Sequence, residues 1–164
     1  MSYLQRRLAE ARRRDEGFTL IELAVVILII GILLAVAIPT FLNVRKGAQN
    51  KAAQSSVRNA LTATKSWASD EGSYKTMVVA DLKAGAPELE ATGATSNGPK
   101  DIGFAVDAAT GTVVLAAKSQ TGDCFMIRDN LDDNGLVVTG GQYKKLVTGA
   151  CTASMDANGW TSKW

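Results

Sequence analysis

Residues Phe18 to Ile38 read FTLIELAVVILIIGILLAVAI, and only Thr19 and Glu22 break the apolar run. From Leu23 to Ile38 no polar side chain occurs. At about 1.5 Å rise per residue the stretch makes roughly 32 Å of helix, enough to cross a bilayer core. All five arginines of Met1–Gly17 precede it, three of them consecutive at Arg12, Arg13 and Arg14, whereas the first basic pair after it is Arg45 and Lys46. By the positive-inside rule the leader is expected in the cytoplasm and the rest of the chain outside.

A permanent signal anchor satisfies this length and charge pattern. So does a secretory signal, because Ala35-Val36-Ala37 has the small residues of a conventional cleavage site. Two features count against both readings. A carboxylate at Glu22 costs a few kcal/mol inside hydrocarbon, and ionisable groups kept there usually serve a function. The chain also continues in a helical pattern beyond Ile38, where a signal-peptidase substrate would open into a loop.

From Thr40 to Ser69, Val44, Ala48, Ala52, Val57, Leu61, Thr64 and Ala68 recur at spacings of three to five, which predicts one apolar stripe on a mainly polar helix. Gly72 is the expected stop. Thr19 to Asp70 is thus expected to form one helix of roughly 80 Å. Gly31 and Pro39 are its weak points: Pro39 denies a hydrogen bond to the preceding turn, so it either kinks the helix or marks where the helix bends or melts on assembly.

At 164 residues the chain has room for that helix and one modest domain. Its charge of +2 resides in Met1–Gly17, where five Arg face Glu10, Asp15 and Glu16; without them 13 basic and 13 acidic residues remain. A neutral protein gives no support for nucleic acid as the main ligand. With no His, imidazole metal sites and His-based triads are excluded. No nucleophile elbow, Walker loop or dinucleotide fingerprint occurs. Neither an enzyme nor a cofactor protein is expected.

Gly17-Phe18-Thr19-Leu20-Ile21-Glu22 in front of the apolar run resembles the class III signal of type IV pilins and pseudopilins. The resemblance implies cleavage after Gly17 by a prepilin peptidase and N-methylation of Phe18 by the same enzyme. It also implies an assembly role for Glu22 and a helix kink at Pro39. The implied partners are copies of the chain in a helical filament, a membrane assembly platform with its ATPase, and the lipid bilayer before assembly. Before cleavage Phe18 contributes an amide, so Glu22 has no cation beside it; cleavage creates an ammonium four positions away. In a dry filament core an unpaired charge is heavily penalised, so this pair would select the stagger between subunits while apolar faces supply most of the attraction.

Ser73 to Asp101 reads as a connecting loop with a short helix around Val79 to Ala84, corresponding to the αβ loop of pilins. Beyond it the period becomes two. Ile102, Phe104 and Val106 alternate, Val113, Leu115 and Ala117 share one face of Thr112–Lys118, and further strands are predicted at Cys124–Arg128 and Leu136–Thr139. The expected fold is α+β, a four-stranded antiparallel meander laid on the amphipathic half of the helix. The implied organisation is leader 1–17, membrane and assembly half 18–39, amphipathic half 40–71, αβ loop 72–101 and sheet region 102–164.

Asn130, Asp132 and Asn134 precede Gly135 at alternating positions, as in a calcium loop. The pattern fails because its first ligand is Asn and Gly141 stands where Glu is needed, so an Asn-Gly turn is preferred and no metal is expected. Cys124 and Cys151 are the only cysteines, and on the exported side a disulfide is favoured over two free thiols. Pilins often staple the C-terminal region in this way, and the segment from Cys124 to Cys151, with Trp160 and Trp164 beyond it, resembles pilins of Gram-positive actinobacterial type. Trp160 is expected to cover the sheet edge, the alternative being a surface patch for adhesion or subunit contact.

The expected function is a structural filament subunit, held in the cytoplasmic membrane before assembly and displayed at the cell surface after it. Adhesion, twitching motility, DNA uptake or secretion are its conceivable uses. One alternative is a type II secretion or competence pseudopilin, whose major form carries an Asp-Pro-Trp-Gly-like motif that is absent here. Another, of a different class, is a secreted or anchored binding domain with a conventional signal, beginning at Ile38 or Met1.

Overall fold

The computed structural model describes residues 17–131, 137–147, 149–156 and 158–164, with backbone alone at 137–140. Helix α1 spans Leu20–Glu71 and helix α2 Val79–Gly85. The strands are β1 Glu90–Gly93, β2 Thr95–Ser96, β3 Asp101–Asp107, β4 Thr112–Lys118, β5 Cys124–Leu131, β6 Val137–Leu146 and β7 Cys151–Thr152. The chain divides into two compact units between Asn43 and Val44.

In the N-terminal unit α1 is the whole of the regular structure, and every residue from Gly17 to Asn43 is exposed. The helix passes through Gly31 and Pro39 without a break in its assignment, and the Thr40 hydroxyl donates to the Val36 carbonyl at 3.0 Å. By length and composition this helix is able to cross a membrane.

In the C-terminal unit α1 buries Ala53, Val57, Ala60, Ala63, Thr64 and Ala68. Apart from the adjacent pair Ala63 and Thr64, these positions step by three or four and hold one face. Val44, Ala48 and Ala52, which the sequence pattern assigned to the same stripe, are exposed. The five-residue step from Ala52 to Val57 explains this, because it turns the helix about 140° away from a common face. Small side chains on the buried face let the helix backbone approach the sheet closely. Gly72, at φ 79°, then ends the helix in the left-handed conformation that favours glycine, its N–H bonded to the Ala68 carbonyl at 2.7 Å.

The sheet has five strands in the order β1-β3-β4-β5-β6. The antiparallel meander runs through β3 to β6, as the period-two pattern predicts. Two features differ from expectation. Residues read as loop supply β1, which adds parallel to β3, and β2, which pairs antiparallel with β7 in a second small sheet. Glu90–Gly93 and Thr95–Ser96 are too short and too rich in Gly, Thr and Ser to show a strand period, so neighbouring strands recruit them. Strand β6 also extends to Leu146, well beyond the predicted Thr139. Gly103 permits the crossing of β2 over β3, because a Cβ there would lie 2.4 Å from the Ala94 carbonyl oxygen.

Each face of the meander is covered. Val113, Leu115, Ala117, Phe125 and Ile127 join Val57, Ala60, Tyr74, Leu82 and Ile102 in the main core under α1. Val114, Ala116 and Met126 point the other way and are buried with Cys151, Ala153 and Trp160 of the C-terminal segment. Trp160 therefore caps the outer face, whereas Trp164 turns back onto the main core, 5.6 Å from the Phe125 ring.

Two polar sets fasten α1 to this sheet. Asn50 accepts hydrogen bonds from the hydroxyls of Ser119 (2.7 Å) and Thr121 (2.6 Å) and donates to Asp123, which also pairs with Lys145. Deeper inside, the buried Tyr74 donates its hydroxyl to Asp129 Oδ2 at 2.7 Å, and Lys65 reaches the same oxygen at 3.5 Å. Burial, reinforced by the Asp129 carboxylate, pushes the Tyr74 hydroxyl far above the usual tyrosine range.

Candidate processing and assembly segment

Glu22 lies in the first turn of α1, where the positive end of the helix dipole favours a carboxylate. Thr19 stands at the cap position immediately before Leu20. The backbone N–H of Thr19 donates to Glu22 Oε2 at 2.9 Å, its hydroxyl donates to the same oxygen at 2.7 Å, and Glu22 N–H donates to Thr19 Oγ1 at 3.2 Å. This is a reciprocal capping box, which satisfies two helix-end donors at once. Glu22, read from the sequence as an acid with no cation beside it before cleavage, is held by its own helix terminus. Thr19 is the residue that reading missed, although a Thr followed three positions later by Glu, just before an apolar run, is the sequence signature of such a box.

Gly17 and Phe18 precede the helix and are not part of it. Both are exposed, Phe18 at 86 %. An accessible, non-helical peptide linkage next to a capped helix suits a protease, since backbone inside a helix must first unwind to be cut. Gly31 and Pro39 lie farther along the same exposed helix, and nothing would meet a Cβ added at Gly31.

In the C-terminal unit Cys124 and Cys151 form a disulfide, with Cα atoms 5.2 Å apart. It ties the start of β5 to β7, and both residues are buried. Beyond it Lys144 pairs with Asp156 at 2.6 Å and, with the Ser154 hydroxyl, holds that exposed carboxyl below the usual carboxylate range. Arg128 lies over the Trp160 ring at 4.8 Å. The calcium-like segment does not form a site that can be described. The Asn130 amide donates to Thr112 Oγ1 and the Thr110 carbonyl, whereas Asp132, Asn134 and Gly135 lie outside the described residues.

Residues 12–38 match the family described as the prokaryotic N-terminal methylation motif. The match covers 27 of the chain's 164 residues, the N-terminal segment alone. The type IV major pilin protein PilA of Myxococcus xanthus is 40% identical over 68 residues, which is 42% of this chain and 31% of that protein. The type IV narrow pilus major component PilA5 of Thermus thermophilus is 67% identical over 30 residues, 18% of this chain and 26% of that protein. Together with the helix-on-sheet fold, these similarities support a type IV pilin. Each match spans less than a third of the relative's length. No solved structure matches the chain at a significant level.

Proposed function

We propose that this chain is the precursor of a structural subunit of a type IV pilus-like filament, cut between Gly17 and Phe18 by a prepilin peptidase that also N-methylates Phe18. A single observation carries the reading: from Leu20 to Val44 α1 is exposed throughout and apolar but for Glu22, Thr40 and Asn43, so the isolated chain leaves this surface without cover. Water is a poor solvent for such a surface, and lipid or copies of the same helix are good ones. The helix then serves first as a membrane anchor and later as the filament core, with Gly31 and Pro39 as places where it bends on packing. A membrane platform and its ATPase would drive the transfer. The product is displayed at the cell surface, where adhesion, motility or DNA uptake are its uses.

The capping box gives cleavage a specific consequence. Thr19 and its bonds to Glu22 survive the cut, and a methylated ammonium appears at Phe18. Glu22 is already held in place by the cap, so its carboxylate is pre-organised to take this cation or that of a neighbouring subunit. Both relatives are named as pilus major components, which favours a pilus over a secretion pseudopilin. Glu22→Ala tests the assembly role. Its membrane insertion, read by alkaline extraction, should equal that of the native chain. Filament recovered by shearing should fall on the order of tenfold or more, because a neighbour's ammonium is left unpaired in the packed core. Filaments in native amount from this variant would refute the role of Glu22.

A further inference from the structure

The apolar surface of α1 ends at Val44, and two cations, Arg45 and Lys46, follow at once. Phe41, Leu42 and Val44 are 66 %, 48 % and 66 % exposed, so uncovered apolar side chains, interrupted there by Asn43, stand directly before the basic pair. No Asp or Glu occurs anywhere from Leu23 to Ser69, and this stretch therefore has cations alone: Arg45, Lys46, Lys51, Arg58 and Lys65. The head uses the last two. Arg58 lies over the Trp164 ring at 5.0 Å and the Tyr143 ring at 6.0 Å, and Lys65 pairs with Asp129. Arg45, Lys46 and Lys51 are exposed and have no ion-pair partner among the described residues.

We infer that Arg45 and Lys46 bind the phosphates of anionic phospholipids in the outer leaflet while the subunit waits in the membrane. The inference rests on the membrane-anchor reading above. Arg45 is seven residues past Ile38, about 10 Å if helical, and headgroups extend several Å beyond the hydrocarbon core. Long basic side chains lay their stems on apolar surface and put the charge at the headgroups, which is the arrangement that Phe41, Leu42 and Val44 invite. Lys51 is a further six residues on, roughly 9 Å more, and out of reach. Lys46 lies one helical turn before Asn50 on the same face, and Asn50 is already fastened to Ser119, Thr121 and Asp123. Asp123, the carboxylate that Asn50 contacts, is thus engaged by Asn50 and Lys145, which leaves Lys46 for the lipid.

The test uses the full chain in nanodiscs of phosphatidylcholine with a minority of phosphatidylglycerol, and native mass spectrometry to read the ratio of the two lipids retained. Arginines of the leader retain anionic lipid equally in every variant, so differences report the outer pair. The double variant R45Q/K46Q is expected to lose several-fold in phosphatidylglycerol enrichment, since each interfacial cation favours an anionic surface by up to about fivefold. K51Q is expected to match the native chain. Equal enrichment in R45Q/K46Q and native protein overturns the inference. Equal loss in K51Q overturns it as well, by showing net charge rather than position. If R45Q/K46Q keeps its lipid ratio but forms no filaments, the pair contacts acids of a second copy and the lipid inference is again overturned. Alkaline extraction of each variant separates these outcomes from a failure of membrane anchoring itself.

Discussion

Replacing Tyr74 with phenylalanine is expected to destabilise the C-terminal unit by roughly 2 to 3 kcal/mol, out of proportion to the one oxygen removed. Asp129 is 1 % exposed, and its Oδ1 has no hydrogen-bond partner among the described residues. The Tyr74 hydroxyl supplies a short bond to its Oδ2, at 2.7 Å. Without it the carboxylate keeps, among the described residues, Lys65 at 3.5 Å, with a side chain 41% exposed. A buried charge that loses its donor retains the cost of leaving water and loses the compensation. Urea titration of native and Tyr74→Phe proteins reads the difference as a shift in midpoint at unchanged slope.

The same contact predicts a pH dependence whose sign follows from the raised hydroxyl. A tyrosine in the unfolded chain ionises near pH 10, whereas folded Tyr74 stays protonated well above that. The native contribution is therefore complete below about pH 10 and is lost as pH rises further, because only the unfolded state releases the proton. Native protein should lose stability above that point more steeply than Tyr74→Phe. Parallel profiles for the two proteins would show that the hydroxyl is not held as described.

Removal of the Cys124–Cys151 bond is expected to have the larger effect. The cross-link closes a loop over a sequence separation of 27, and the chain-entropy model gives roughly 3 to 4 kcal/mol for a loop of that size. For a unit of this length that corresponds to a fall in Tm on the order of 10 °C. The loss should also be local in origin. Strand β7 has two residues, pairs with the equally short β2, and is held to β5 by the sulfurs. Calorimetry of the Cys124→Ala/Cys151→Ala variant measures the total. Amide exchange should show β7 opening first, with β3 to β5 still protected.

How much of this was legible beforehand depended on whether a residue's neighbours are local. The apolar helix, its stop at Gly72, the short helix at Val79–Gly85 and the central strands all follow from periods of 3.6 and 2 along the chain. The disulfide followed from export and a count of two cysteines. Less visible were β1 and β2, since Glu90–Gly93 and Thr95–Ser96 become strands only because β3 and β7 offer unpaired edges. Double burial of β4 is another such case. Val113 to Ala117 is apolar throughout, as a strand covered on both faces should be, yet the cover comes from Cys151, Ala153 and Trp160 far along the chain. Within the N-terminal segment Glu22 stood out as a charge inside an apolar run. Its partner Thr19 did not, because attention to charge passes over a hydroxyl whose role is to cap a helix.

The central claim is that Gly17–Phe18 is the processing point of a filament subunit, and the N-terminal mass of protein sheared from the cell surface tests it most directly. The account predicts a chain beginning at Phe18 with one added methyl group. A surface protein beginning at Met1 or at Ile38 would contradict it.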